Sequence, residues 1–329
     1  MAMLTPAGQV PLSGAKELFY GVGGAESNVA MGLAAMGVDA HWVGRVGNDG
    51  FGQRIMNELV AHDVGISGVE IDSHRNTGLY VKVPAIPESG SPEGSVLYYR
   101  KGSAASAMGP ALLKKTAVAS LLERAGLIHL SGITAALSPD CRTLLATIMA
   151  GPRSGSLVSF DINWREALWA DADKGVLRTL ANQADVVLVG ADEALPALGT
   201  NNEETLRELL PEPAVIVLKN ADISAIALMR DGTRIEVPSL NVSVLEPVGA
   251  GDAFAAGYLS GMLLGLDQQS SLRRGHVSAA CTLTVPGDRG PLPSDDILGR
   301  ILACSEGDWA ATHVAPGIIS SPALEASLS

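Results

Sequence analysis

Short apolar runs alternate with helix-length segments along most of this chain, and that alternation restricts the fold more than any other feature. Ala40–Val46 reads as a strand, followed by a helix over Asp49–His62 that Gly65 ends. Leu127–Ser131, Leu157–Asp161, Asp185–Val189 and Val215–Lys219 read as further strands, with helices over Ser138–Met149 and Asp171–Asn182 between them. Such an order predicts an α/β fold, a mostly parallel sheet with helices on both faces. Ser224–Met229 and Arg234–Val237 flank Asp231-Gly232, the signature of a hairpin. Long helices over Ala250–Leu264 and Gln268–Thr284 follow.

Two stretches break the rhythm. Within residues 74–103, Thr77–Pro84 and Ser95–Lys101 read as strands joined by the polar loop Glu88–Gly94, and residues 7–22 read as short extended pieces. Residues 1–22 and 74–103 are therefore expected to form a small β lid. Residues 23–73 and 104–309 are expected to form the α/β core. The Ala/Ser/Pro-rich residues 310–329 lack periodicity and read as a mobile tail.

The net charge of −12 argues against nucleic acid or an anionic membrane as partner, since both require a basic footprint. An anionic substrate would be repelled overall, so it would need arginine or lysine within its own site. Cys141, Cys281 and Cys304 are odd in number and widely spaced, which disfavours a disulfide framework or zinc site. The absence of a leader pattern and of an apolar run of about 18 residues predicts a cytoplasmic protein. His129, inside Leu127–Leu130, reads as a satisfied core residue.

The most distinctive stretch is Glu246-Pro247-Val248-Gly249-Ala250-Gly251-Asp252-Ala253-Phe254. Gly249, Ala250 and Gly251 bring backbone N–H groups to a helix N-terminus, where unpaired amides and the macrodipole favour an anion. Asp252 places a carboxylate beside them, a poor phosphate ligand but a good general base for a hydroxyl. Together they imply a small-molecule kinase, although a Gly-rich turn with Asp252 as a helix-cap residue explains the same letters. Gly23-Gly24 precedes a helix over Val29–Met36. The glycines allow close approach of a ligand and Asn28 can bond sugar hydroxyls, or Ser27 or Asn28 simply caps the helix.

Strand period 2 puts Tyr98 and Arg100 on one face, a phenol and a guanidinium suited to a carboxylate or polyol; a cation–π pair on an exposed strand is the alternative. Asp161-Ile162-Asn163-Trp164-Arg165 lies just past the carboxyl end of a parallel strand, where open α/β sheets bind ligands. Glu193 follows the next strand and can reach a metal-bound water near phosphates, or serve as a first-turn acidic residue. Neither a Gly-Lys pair nor Gly-x-Gly-x-x-Gly occurs, which removes the main warrants for a P-loop enzyme or a Rossmann dehydrogenase.

Gly23-Gly24 with Asn28, and Glu246–Asp252 leading into Ala253-Phe254-Ala255-Ala256-Gly257, resemble the two signatures of the ribokinase-like (PfkB-type) carbohydrate kinases. The resemblance spans most of residues 3–300 and implies a three-layer α/β/α fold with a small β lid. Within that family, Tyr98-x-Arg100, Asp161-x-Asn163-x-Arg165 and Leu168-Trp169 most resemble the 2-keto-3-deoxygluconate kinases. That implies transfer of phosphate from ATP, with Mg²⁺, to the terminal 6-hydroxyl of a sugar acid. By position, Asp252 would be the base and the amides of Ala250, Gly251 and Asp252 the anion hole. Arg100 and Arg165 would hold the substrate carboxylate, and Gly24, Asn28, Tyr80, Tyr98 and Asn163 would line the sugar site. Lys219, Gly249 and Gly251 would meet the nucleotide, with Glu193 reaching Mg²⁺ through water.

There are departures. The family commonly has Asn-x-x-Glu where this chain has Gly190-Ala191-Asp192-Glu193, a departure that bears on the metal-water network, and Asp where Glu246 stands, which weakens the case for a monovalent-cation site. A kinase of fructose, ribose or a nucleoside, and a catalytically silent sugar-binding regulator, share the same fold. Lids of the family often pair, so a homodimer through the lid is one expectation. The family fold also opens with an apolar strand before the segment that resembles Met1–Pro6, so the first strand is expected to be truncated here.

Overall fold

The computed structural model describes residues 1–8, 10–83, 95–153, 155–170 and 173–325. The expected loop Glu88–Gly94 and the first two residues of the expected 171–182 helix lie outside the described residues.

The first hundred residues build two small sheets. β1 (Ala2–Pro6) and β2 (Leu18–Val22) pair antiparallel. After them come α1 (Ala25–Ala35), β3 (His41–Gly47), α2 (Gly50–Ala61) and β4 (Gly65–Asp72), with β3 and β4 parallel across α2. Asp49 stops the chain from entering α2 unsatisfied: its carboxylate accepts from the Gly52 N–H at 2.8 Å and from the Thr77 N–H at 2.7 Å. β5 (Leu79–Val83) and β6 (Ser95–Tyr99) then return to the first two strands, giving a four-stranded sheet of order β2-β1-β5-β6. α1 begins four residues before the helix expected at Val29. Gly24, at φ +142°, makes the turn that lets Ala25 start it, so Asn28 faces inward from the first turn.

From residue 116 the chain follows the βα alternation read from the sequence. α3 (Thr116–Arg124) leads into β7 (Leu127–Ser131), α4 (Gly132–Leu137) and α5 (Pro139–Ala150). β8 (Leu157–Asp161), α6 (Glu166–Trp169), α7 (Gly175–Ala181) and β9 (Val186–Gly190) follow. Next are α8 (Ala191–Leu198), α9 (Glu203–Leu209), β10 (Val215–Asn220), β11 (Ser224–Met229) and β12 (Arg234–Pro238). The sheet order is β12-β11-β10-β9-β8-β7, parallel from β7 to β10, with the β10–β11–β12 meander antiparallel. The strand period sorts its core: Val187, Val189, Ile216 and Leu218 face one apolar cluster with α5, α7 and α8, while Val186, Leu188, Val215 and Val217 face another with α1 and the later helices. Each such side chain is almost fully buried, worth ~1.5–3 kcal/mol apiece, so a one-residue slip in any central strand would be prohibitive.

β13 (Asn241–Val242) precedes α10 (Ala250–Leu263), α11 (Gln268–Leu283), α12 (Asp295–Ala303) and α13 (Glu306–Ala311). The expected structureless tail differs from what is found. Through residue 325 it forms β14 (His313–Ala315), β15 (Ile318–Ser320) and the one-turn α14 (Pro322–Glu325), with β13, β14 and β15 in a small sheet. The reason is tertiary. Val314 is buried against the second cluster, and Thr312 bonds Ser321 at 2.7 Å, contacts that leave no helical or strand period in so short a stretch.

Candidate active site

Three strand ends of the large sheet and the start of α10 converge. Asp161 ends β8, Glu193 lies in the first turn after β9, and Lys219 stands near the end of β10. The Lys219 ammonium donates to Asp161 at 3.0 Å. Burial opposes its charge, but Asp161 and Glu193 outweigh that and hold the Lys219 pKa above its ordinary value. Asn163 sits at φ +43°, a left-handed conformation uncommon outside glycine but reached most readily by asparagine, and its buried side-chain oxygen has no hydrogen-bond partner among the described residues.

Gly249 caps α10 in a left-handed conformation, φ +90°, and a Cβ there would overlap the Asp288 backbone. Only glycine fits on both counts. The first intrahelical bond runs from the Ala253 N–H to the Gly249 carbonyl, so the amides of Ala250, Gly251 and Asp252 precede the helical ladder. Lys219 Nζ lies 3.7 Å from where a Gly251 Cβ would stand, which brings the cation to the same helix end. Asn28 reaches across from α1 and donates to Asp252 Oδ2 at 2.9 Å. Burial first, and then Asp161 and Asp288, push the Asp252 carboxyl up to about 7 against the Asn28 bond.

The four-stranded sheet supplies the other wall. Tyr80 donates to Asp288 Oδ2 at 2.7 Å, and Lys82 meets Asp288 Oδ1 at 2.6 Å and Glu246 at 3.8 Å. Burial and Asp288 raise the Tyr80 pKa, so the phenol remains a donor. Gly23 must be bare because a Cβ would overlap the Tyr80 hydroxyl. The Arg100 guanidinium lies over the Tyr98 ring, 4.1 Å from its centroid, and the residue is only 7% exposed. Among the described residues no carboxylate lies within ion-pair distance of it. Burial and nearby Arg165 weaken its hold on the proton, while Tyr98 and Glu26 strengthen it.

The structure adds contacts at two of the residues assigned from the sequence. Arg165, expected at the substrate carboxylate, donates to Glu193 at 3.1 Å and to the Trp164 carbonyl at 2.6 Å. Glu193, expected at a metal-bound water, also accepts from the Gly190 N–H at 3.1 Å at the start of α8. The first-turn reading is thus realised together with an ion pair to Arg165. Two members escaped the sequence reading, Lys82 and Asp288, and Asp161 was given no role of its own. Asp161 was visible in its motif beside Asn163, whereas Asp288 lies 208 positions from Tyr80 and carried no local signal.

No helix is long and apolar enough to cross a membrane, and no group of three His, Cys, Asp or Glu side chains could hold a metal ion, both among the described residues. Asp161 nevertheless lies near enough to Glu193 and to Asp252 to raise, together with burial, the pKa of each. That surplus of negative charge fits a divalent cation that arrives with phosphate ligands of its own.

A parallel α/β sheet that presents an amide-rich helix end, a lysine and a poised carboxylate at its strand ends defines a class of phosphate-binding enzymes. Comparison narrows the class. The sequence profile of the pfkB family carbohydrate kinases matches residues 7–295, and the chain belongs to that family. It is 34% identical over 295 residues to 2-dehydro-3-deoxygluconokinase of Bacillus subtilis, covering 86% of this chain and 87% of the relative. It is 31% identical to the enzyme of the same name from Thermoproteus tenax, covering 83% and 82%. The crystal structure of a PfkB protein from Polaromonas sp. JS666 superposes with a TM-score of 0.75 at 30% identity, covering 85% and 92%.

Proposed function

We propose that this protein phosphorylates the terminal 6-hydroxyl of 2-keto-3-deoxygluconate with ATP. The observation that carries the acid substrate is Arg100, a buried guanidinium on an aromatic face, facing the cleft of a protein with net charge −12. Such a group fits a ligand carboxylate bidentately. Arg165 lies near it and brings a second positive charge, already shared with Glu193. Gly24, Tyr98 and Asn163 line the sugar site, with the Tyr80–Asp288 pair at its floor.

Asp252 removes the proton of the attacking hydroxyl. Its carboxyl at about 7 matches a base that works near neutral pH. The amides of Ala250, Gly251 and Asp252 receive the transferring phosphoryl group, and Lys219 adds a cation beside it. Asp161 orients Lys219, and Asn28 fixes the rotamer of Asp252. Glu193, through water, would hold Mg²⁺, which would supply neutralisation of phosphate charge. The four-stranded sheet acts as a lid over the sugar and can also pair two copies, since Leu18, Phe19, Leu97 and Tyr99 are exposed on it. A cytoplasmic location, where ATP is made, fits this activity. A coupled ADP-release assay across sugar acids and neutral sugars tests the reading. Turnover of 2-keto-3-deoxygluconate with little on fructose or ribose is expected, and preferential turnover of a neutral sugar would overturn it.

A further inference from the structure

Lys82 is a buried cation with no part in the chemistry described so far. The strand period of β5 puts Tyr80 and Lys82 on one face, and both side chains reach Asp288, the phenol at Oδ2 and the ammonium at Oδ1. The ammonium also lies 3.8 Å from Glu246 Oε2, and the Lys82 side chain is only 9% exposed. Among the described residues neither Asp288 nor Glu246 has another cation within ion-pair distance.

The two carboxylates belong to the two chain segments that shape the turn before α10. Glu246 Oε1 accepts from the Val248 N–H at 3.3 Å, so its carboxylate braces the loop that leads to Gly249. Asp288 abuts the other side, its backbone filling the space where a Gly249 Cβ would stand. One ammonium thus touches both segments, and it comes from the four-stranded sheet rather than from the core. Stability alone is a poor reason for it. A buried ion pair loses in desolvation much of what it gains in attraction, and a well-packed apolar side chain often fills such a space at least as well. An apolar side chain cannot, however, hold two carboxylates in place or balance their charge beside a site for phosphate. Asp288 already acts on Asp252 through space, helping to raise its pKa. Left unbalanced, Asp288 and Glu246 would also oppose an incoming anion.

We propose that Lys82 is a positioning residue for phosphoryl transfer: from β5 it pins Glu246 and Asp288 together and so sets the place of the amides of Ala250, Gly251 and Asp252. This assignment rests on the phosphate-receiving role proposed above for those amides. It gives the four-stranded sheet a second task besides covering the sugar. β5 then carries one side chain for the floor of the sugar site, Tyr80, and one for the phosphate turn, Lys82.

Lys82→Met keeps a side chain of similar length and removes its charge. In the protein without substrates, the hydrogen-bonded amides of Glu246, Val248 and Ala253 should exchange faster by about tenfold or more, while those of the core strand β10 stay unchanged. Equal quickening of both sets, the mark of a merely stabilising ion pair, or of neither, would overturn the proposal. In turnover measured per folded molecule, kcat should fall by about 10²-fold, the loss that follows a shift of about 1 Å in the reacting groups. The sugar KM should change by less than about threefold, because Tyr80 keeps its bond to Asp288. An unchanged kcat, or a loss confined to the sugar KM, would overturn the assignment. Glu246→Gln covers the case in which Lys82→Met does not fold. Glutamine keeps an acceptor for the Val248 N–H, removes the charge facing Lys82 and leaves Lys82 paired with Asp288. It should quicken exchange at Glu246→Gln itself, Val248 and Ala253 by about threefold with β10 unchanged, and wild-type exchange at all three positions would overturn the proposal. Exchange needs neither ATP nor sugar. Failure of the proposed activity would therefore appear as absent turnover in the wild type, and failure of the Lys82 assignment as exchange that these variants leave unaltered.

Discussion

Replacing Asp252 with asparagine separates the reactivity of the site from its cost to the fold. The native carboxyl is lifted from 3.8 to about 7, first by burial and then by Asp161 and Asp288. At ~1.36 kcal/mol per pKa unit, that shift of roughly three units means the ionised group destabilises the folded state by up to about 4 kcal/mol. The sign follows from proton counting. Between pH 3.8 and about 7 the folded protein retains a proton that the unfolded chain has released, so this group's contribution to stability falls as pH rises through the window and stays low above it. Asparagine has no such proton and keeps a polar partner for Asn28. The variant should therefore match wild type near pH 4 and exceed it increasingly toward pH 8, by up to about 4 kcal/mol in urea unfolding. Its kcat should fall by about 10²–10⁴-fold, the usual loss for a general base. Subtracting the wild-type pH profile from that of the variant cancels the other titrating groups. A variant no more stable than wild type at pH 8, or equally stabilised at pH 5 and pH 8, would refute the desolvation argument. Retention of more than about a tenth of kcat would refute the role as base.

Other variants probe the remaining contacts. Arg100→Ala should raise KM for sugar acids by about 10–150-fold, the equivalent of a lost charge-assisted bond, while changing KM for a neutral analogue little; Arg100→Lys should rescue poorly, because an ammonium lacks the guanidinium fork. Asn28→Ala removes the donor that lowers the Asp252 pKa, so the acidic limb of the kcat/KM profile should move to higher pH, and an unmoved limb would deny the bond its electrostatic role. Gly249→Ala combines a left-handed φ of +90° with overlap on the Asp288 backbone, and should cost more than about 2 kcal/mol together with nucleotide affinity, measured by unfolding and by ATP titration. Asp288→Asn leaves Lys82 buried with only Glu246 opposite it, at 3.8 Å, and should destabilise by about 3–5 kcal/mol; full stability would show that Lys82 finds another partner.

Much of the fold is legible in the sequence because its determinants are local. The strands at Leu127, Leu157 and Val215 are continuous apolar runs bounded by polar turns, and the Asp231-Gly232 hairpin forms where its dipeptide stands. The left-handed Gly249 before a small-residue helix is likewise a local backbone requirement, readable without knowing what it faces. Such features follow from dihedral sterics and side-chain period, which act over a few residues.

What only the tertiary structure decided are relations between distant segments. Asn28 and Asp252 are 224 positions apart, and Tyr80 and Asp288 are 208 apart, yet each pair is joined by one hydrogen bond. Nothing in either neighbourhood marks a partner, because only the closed sheet brings those positions together. The same holds for the engagement of Arg165 with Glu193, which couples the ends of two successive strands, and for the ordered residues 310–325, whose burial comes from helices they meet only in space. The amino-acid sequence by itself determined the elements and the chemical kinds of group available, since these depend on neighbours along the chain. The fold decided which groups meet, how much water they lose and hence at what pH Asp252 ionises, since desolvation and through-space charge depend on packing rather than on order.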